Sequence, residues 1–211
     1  ELREKVENKI AHKDWTLFSV HAAMNRLPEY EAAEFDPDVN RAWVVNLGYS
    51  SPAELNEDWR LIRAGKVPDP RPNAAVNSLY DPTDAPEGYY TGLLRQFAPF
   101  EVNGAGAGEW DNMGRWYGER CLDVWKRYAP NLTEDAYVDW VPFTPLDIER
   151  KMPNMVRGDW MMGEISLDNM LDQRPLPELG QYRTPIEGLY MGGSTQHPHG
   201  FITFGPGYNA L

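Results

Sequence analysis

The chain has 211 residues, enough for one generous domain or two small ones, and its 42% apolar content can fill a proper core. A formal net charge of -12, with no basic cluster longer than a few residues, excludes nucleic-acid binding, which needs a Lys/Arg footprint. The same charge disfavours anionic membrane surfaces, and no stretch approaches the roughly 18 consecutive apolar residues of a membrane span, although peripheral membrane contact stays open.

The chain opens without methionine on "ELREKVENKIAHK", a charged helical sequence like the inside of a longer polypeptide and unlike a secretory signal. Processing or truncation is the expectation. "DWTLFSVHAAMN" (14–25) and "NRAWVVNLGYS" (40–50) are predicted strands, and "SPAELNEDWRLIRAGKVP" (51–68) a helix opened by Ser51 and Pro52. "NAAVNSLYD" and "GYYTGLLRQFAPF" predict two further strands joined by the turn-rich "PTDAPE". From Trp110 to Tyr128, Met113, Trp116, Tyr117, Cys121, Val124, Trp125 and Tyr128 recur at three- and four-residue steps, so this helix has an apolar face and those side chains are assigned to the core. Residues 130–145 form the weakest joint. Thr144 before Pro145, with Asp147 three residues on, predicts a helix start, and Ser166 before "LDNMLDQ" predicts another. "EGLYMGG" is a predicted strand. The pattern is α+β, a sheet with flanking helices.

Several motifs fail on spacing. "NGAGAGEW" (103–110) precedes a helix with glycines, yet the third glycine of G-x-G-x-x-G would fall on Glu109 or Asp111, so a loop is expected there rather than a phosphate site. Of the four histidines only His197 and His199 are close, and no third ligand is placed by spacing, so no metal site is expected. His21, inside an apolar strand, is either a core histidine or one facing a ligand. His197 and His199 lie in a glycine-rich loop, where a functional role fits better. No G-x-S-x-G occurs, and the single cysteine, Cys121, sits on the apolar helix face, so hydrolase chemistry has little support. One cysteine forms no internal disulfide, which fits a reducing compartment and makes the cytoplasm the expected location.

The tail, "GLYMGGSTQHPHGFITFGPGYNAL" (188–211), is dense in glycine, which is retained where backbone must bend or be approached closely. Its order of apolar run, "GG", "ST", "HP", a further glycine and "GPGYNA" resembles the C-terminal flavin motif of the phytoene desaturase-like FAD oxidoreductases. "TLFSVHAAMNRLPEY", "YDPTDAPEGYYTG", "TPLDIER" and "GDWMMGEISLDNMLDQRPLPELGQYRTPIEGLYMGG" follow in the order of that family's pyridine nucleotide-disulfide oxidoreductase domain-containing branch. The resemblance covers nearly the whole chain. It implies a substrate-binding domain with a mixed sheet over about 1–145, and over 146–211 a C-terminal strand, loop and helix completing a Rossmann-type FAD/NAD(P)-binding domain. The family's N-terminal G-x-G-x-x-G unit is absent here, so a Rossmann-containing chain or fragment becomes the implied partner. The family's usual histidine before Gly-Asp is Arg157.

By the same resemblance FAD is the implied cofactor, and Gly192, Gly193, Ser194, Thr195, Gly200, Gly205, Pro206, Gly207, Tyr208 and Asn209 its implied contacts. Gly192 and Gly193 would end a strand beside the cofactor, and the helix from Gly205 would direct its positive end at the flavin. The implied chemistry is hydride removal from an apolar isoprenoid, fatty or alicyclic substrate to flavin N5. His21, His197 and His199 are the acid–base candidates by residue type, and Arg174 either orients a polar end of the substrate or forms a structural ion pair. Two alternatives stand beside this: a non-catalytic subunit or lipid-binding module without flavin chemistry, and an amine oxidase-like flavoenzyme. The latter usually carries an acidic residue where this chain has "STQHP".

Overall fold

The charged opening segment is helical, with α1 spanning Leu2–Lys9 and the Arg3 guanidinium 2.7 Å from the Glu7 carboxylate one turn on. The strand that follows, β1 (Trp15–Met24), buries Phe18, Val20, Ala22 and Met24 on one face, as a period of two requires. A short β2 (Val44–Asn46) precedes α2 (Pro52–Arg63), whose start has Ser51 Oγ accepting from the Glu54 amide. Then come β3 (Asn73–Val76), the ten-residue β4 (Tyr90–Pro99), the long α3 (Trp110–Tyr128), β5 (Tyr137–Phe143), α4 (Pro145–Lys151) and the short α5 (Gly205–Asn209). The computed structural model describes residues 1–199 and 204–211.

The chain divides into two compact units, residues 14–148 and residues 1–13 with 149–211, the division falling inside α4. The first holds one five-stranded sheet in the order β2-β3-β4-β1-β5. All of its pairings are antiparallel, which corrects the mixed sheet expected from the resemblance. β1 and β4 pair along their full lengths, from Trp15 opposite Pro99 to Met24 opposite Tyr90.

The core of this unit lies between the sheet and α3. Trp110, Tyr117, Cys121, Val124 and Trp125 of α3 join Phe18, Val20, Met24, Ala74 and Leu94 in one buried cluster. Phe18 stacks near-parallel on Trp110 at 5.6 Å and meets Tyr117 edge-on at 4.9 Å. Two glycines on α3 make room for this packing: a methyl group at Gly114 would lie 2.6 Å from Thr144 Cγ2, and one at Gly118 2.8 Å from the Trp140 ring. Burial pushes the Cys121 thiol up to about 12, and the Tyr117 phenol well above its ordinary value.

Residues 130–145, read as the weakest joint, contain β5, an edge strand paired with β1 from Ser19 opposite Phe143 to Met24 opposite Tyr137, and the division between units follows after Ile148. Its proline and its one charge, Asp139, disguised it, yet an edge strand with one free side tolerates Pro142. Trp116 is half exposed because it lies on the far side of α3 from the buried stripe of Trp110, Gly114, Tyr117, Cys121 and Trp125, and Tyr128, in line with that stripe, is exposed because it ends the helix. The strand predicted over 40–50 shrinks to the three residues of β2. The helix start at Thr144 is present as a reciprocal cap: the Asp147 amide donates to Thr144 Oγ1 (3.1 Å) and the Thr144 amide to Asp147 Oδ2 (3.0 Å).

In the unit formed by 1–13 and 149–211, short turns replace long elements. Ser166 starts no α-helix; the segment folds as two 3-10 turns, Leu167–Asn169 and Leu171–Gln173, broken by an extended Met170. The strand predicted at "EGLYMGG" reduces to one antiparallel bridge between Arg183 and Tyr190, because it finds no ladder partner among the described residues. No helix among the described residues is long and apolar enough to cross a membrane.

Candidate functional site

The tail glycines meet one another. A methyl group at Gly192 would sit 3.3 Å from Gly207 Cα and 3.6 Å from its nitrogen, so the segment before the "STQHP" turn and the first turn of α5 touch through bare backbone. Gly192 therefore has a reason inside the chain to lack a side chain, and neither it nor Gly193 ends a strand. Gly193 and Gly207 are exposed, and a methyl group at either would find only one described atom near the edge of contact, Thr195 Oγ1 at 4.0 Å and Gly192 O at 3.9 Å respectively. Pro206 is buried in the first turn of α5, while Tyr208 and Asn209 are exposed on it and Gly205 is half-buried. Gly200 lies outside the described residues.

The turn between these segments is polar and half-buried, with Gln196 at its buried centre. Gln196 is fully buried; its Nε2 donates to Thr195 Oγ1 at 3.4 Å, while its Oε1 has no hydrogen-bond partner among the described residues. His197 Nδ1 is likewise buried with no partner among them, its ring set edge-on to Tyr182 at 6.0 Å. Buried polar atoms are nearly always bonded, so such orphans mark a place where a further partner fits. His199 is half-buried in the same turn.

Arg174 is 1% exposed and donates to the carbonyls of Met161 (3.1 Å), Met162 (2.9 Å), Asn169 (3.2 Å) and Ser194 (3.3 Å). The guanidinium sits inside the fold, clamped on backbone, and makes no direct ion pair among the described residues. Burial pulls it below its ordinary pKa, opposed by the Asp159 carboxylate. Asp159, also 1% exposed, accepts from the Met161 amide (3.0 Å) and the Gly163 amide (2.9 Å), folding the loop that Arg174 grips. Arg157, which stands where the resembling family has histidine, has a left-handed backbone (φ +56°) and its amide donates to Glu149 Oε1 at 2.7 Å.

His21 belongs to the other unit. It is exposed on β1 rather than buried in the core, because odd-numbered positions of this strand face away from α3; its Nε2 lies 3.2 Å from Ser19 Oγ and its ring is edge-on to Phe143 at 6.0 Å. The structure thus gathers Gly192, Gly207, Ser194 and His197 in one unit and leaves His21 on the sheet of the other. Sequence reasoning missed Gln196 and Tyr182, since neither takes part in a periodic pattern or a spaced motif.

No family model matches the chain. It is 28% identical over 199 residues to a protein of Castellaniella defragrans named as one of the subunits of limonene dehydrogenase, a match covering 92% of this chain and 36% of that protein. It is 30% identical over 199 residues to pyridine nucleotide-disulfide oxidoreductase domain-containing protein 2 of Rattus norvegicus, covering 90% and 33%, and 29% identical over 201 residues to its counterpart in Mus musculus. The chain is related to proteins named as oxidoreductases. It spans about a third of the length of these curated relatives.

Proposed function

We propose that this chain is the C-terminal part of an FAD-dependent dehydrogenase or desaturase acting on an apolar substrate. The observation that carries this is the bare backbone of Gly192, Gly193 and Gly207 beside the buried Gln196 Oε1 and His197 Nδ1, neither of which finds a partner among the described residues. A planar ring fits against exposed glycine backbone, and a ring N–H suits the orphaned Gln196 Oε1 acceptor, so the residues present fit a flavin. When bound, that group supplies hydride acceptance from a substrate carbon at its N5. Gly193 and Gly207 would lie against it, with Ser194, Thr195, Gly200, Gly205, Pro206, Tyr208 and Asn209 around it. α5 has only five residues, so its dipole adds little and the close approach of backbone does most of the holding.

The phosphates of the dinucleotide would be held by a Rossmann-containing chain or segment, for which the word "subunit" in one relative's name gives support. That relative's name also favours an isoprenoid as the apolar substrate. The unit of residues 14–148 would bind substrate, and the unit bearing the tail would complete the FAD-binding domain. His197 and His199 are the proton-handling candidates nearest the cradle in sequence, with His21 offered from the substrate unit.

The test is reconstitution of the assembly that carries this chain, with flavin content read by visible absorbance after gel filtration. Wild type should retain FAD, and Gly207→Asp should lose occupancy and make the potential of any retained flavin more negative, since a carboxylate opposes charge gained on reduction. The 211-residue polypeptide by itself should come off the column colourless. Wild-type flavin content and potential in Gly207→Asp would overturn the assignment of the tail.

A further inference from the structure

Tyr182 ties together the two sides of the glycine contact. Its hydroxyl accepts from Asn209 Nδ2 (2.9 Å) at the end of α5 and donates to the His197 carbonyl (3.3 Å) in the half-buried turn. Its backbone carbonyl accepts from the Met191 amide (2.8 Å), one residue before Gly192 reaches Gly207. Its ring, 6% exposed, stands edge-on to the His197 imidazole. These attachments persist although the Tyr182 backbone is left-handed (φ +68°), a conformation that L-residues with bulky side chains rarely adopt. A less bulky residue would meet the turn geometry with less strain; only a ring carrying a hydroxyl reaches both Asn209 and His197.

We propose that Tyr182 is a positioning residue of the cradle, its hydroxyl fixing the separation between the turn at Gln196–His197 and α5. This rests on the flavin reading above. With the hydroxyl in place, Gly192 and Gly207 stay in register and His197 Nδ1 keeps a fixed direction. Without it, Asn209 loses its acceptor and the His197 carbonyl loses its donor, and among the described residues α5 is left with its own short-range hydrogen bonds and the Gly192–Gly207 contact.

The experiment compares wild type with Tyr182→Phe, which keeps the ring and removes only the hydroxyl. In the chain without flavin, hydrogen exchange at the amides of Tyr208 and Ala210, which bond to Phe204 and Pro206 within α5, should rise about fivefold, as expected for loss of one ordinary hydrogen bond, with exchange across residues 14–148 unchanged. In the flavin-loaded assembly the same variant should lose flavin faster and shift the potential of what remains. Asn209→Ala cuts the same link from α5 and serves if Tyr182→Phe does not fold; the two changes together should cost little more than either alone. Unchanged exchange in α5, or full additivity of the two variants, overturns the role of Tyr182. A variant with faster exchange but wild-type flavin retention and potential also overturns it. A wild-type assembly that binds no flavin instead overturns the flavin reading itself, and with it any role of Tyr182 toward that group.

Discussion

The two units of this chain hold themselves together by different means. In residues 14–148 a ladder of ten paired residues and the apolar stripe of α3 bury aromatic rings against one another, and most polar groups stay at the surface. In the unit built from 1–13 and 149–211 the buried apolar residues Met161, Leu176, Leu179 and Tyr182 are matched by buried Asp159, Asn169, Arg174 and Gln196, and the backbone is folded by side-chain clamps instead of ladders. Leu167, Phe204 and Tyr208 of the same unit are almost fully exposed. A core of the first kind is stable by area alone, whereas a polar one depends on every partner being present. Here Gln196, His197, Asn169 and Arg174 each keep a buried atom with no partner among the described residues. Such a unit would gain order if a further group docked on it, as the flavin proposed above would.

The largest effect should come from the area-driven core. Trp125 is fully buried, its Nε1 donates to Tyr30 Oη at 3.1 Å, and its ring would be 3.0 Å from any methyl group placed on Gly92. Trp125→Ala should cost about 3–5 kcal/mol, read as a lowered denaturant midpoint for residues 14–148. A loss below about 1 kcal/mol would place the core of that unit elsewhere.

Next in size, Arg174→Met should cost about 2–3 kcal/mol, because a guanidinium bonded to four carbonyls is replaced by a side chain that bonds to none. Hydrogen exchange should accelerate over residues 159–197 and not over 14–148. An equal response in both units would erase the contrast between them.

Cys121 sharpens the picture of the dry core through pH. Its folded value is raised from 9.0 to about 12 by burial, so an unfolded chain releases this proton first. Stability from this group is intact below about pH 9 and falls by roughly 1.4 kcal/mol per pH unit as pH climbs toward 12. Cys121→Ala should flatten that alkaline slope in a series of denaturant melts. At pH 8 the native thiol should resist alkylation, and rapid modification would show that the helix face is open to water.

The smallest effect is expected at Trp116, half exposed on α3 with the Arg120 guanidinium 5.1 Å from its ring. Trp116→Ala should change stability by no more than about 0.5 kcal/mol, and a loss near that of Trp125→Ala would mean the buried stripe of α3 is wider than drawn.

The amino-acid sequence by itself determined the elements whose pattern is local: β1 and β4 from their short apolar runs bounded by turn residues, α2 from Ser51 and Pro52, α3 from its three- and four-residue steps, and the cap at Thr144 and Asp147. It also marked the glycine-rich tail as a place of close backbone approach. What it did not determine depends on partners distant in the chain. β5 exists because β1 offers it an edge, and "EGLYMGG" forms no strand because nothing among the described residues offers it one. Trp116 and Trp125 share a helix, and their nine-residue spacing sets them on opposite faces, but which of the two is buried was decided by where the sheet lies. Arg174 and Tyr182 draw their roles from carbonyls brought to them by folding, and backbone acceptors leave no trace in side-chain identity.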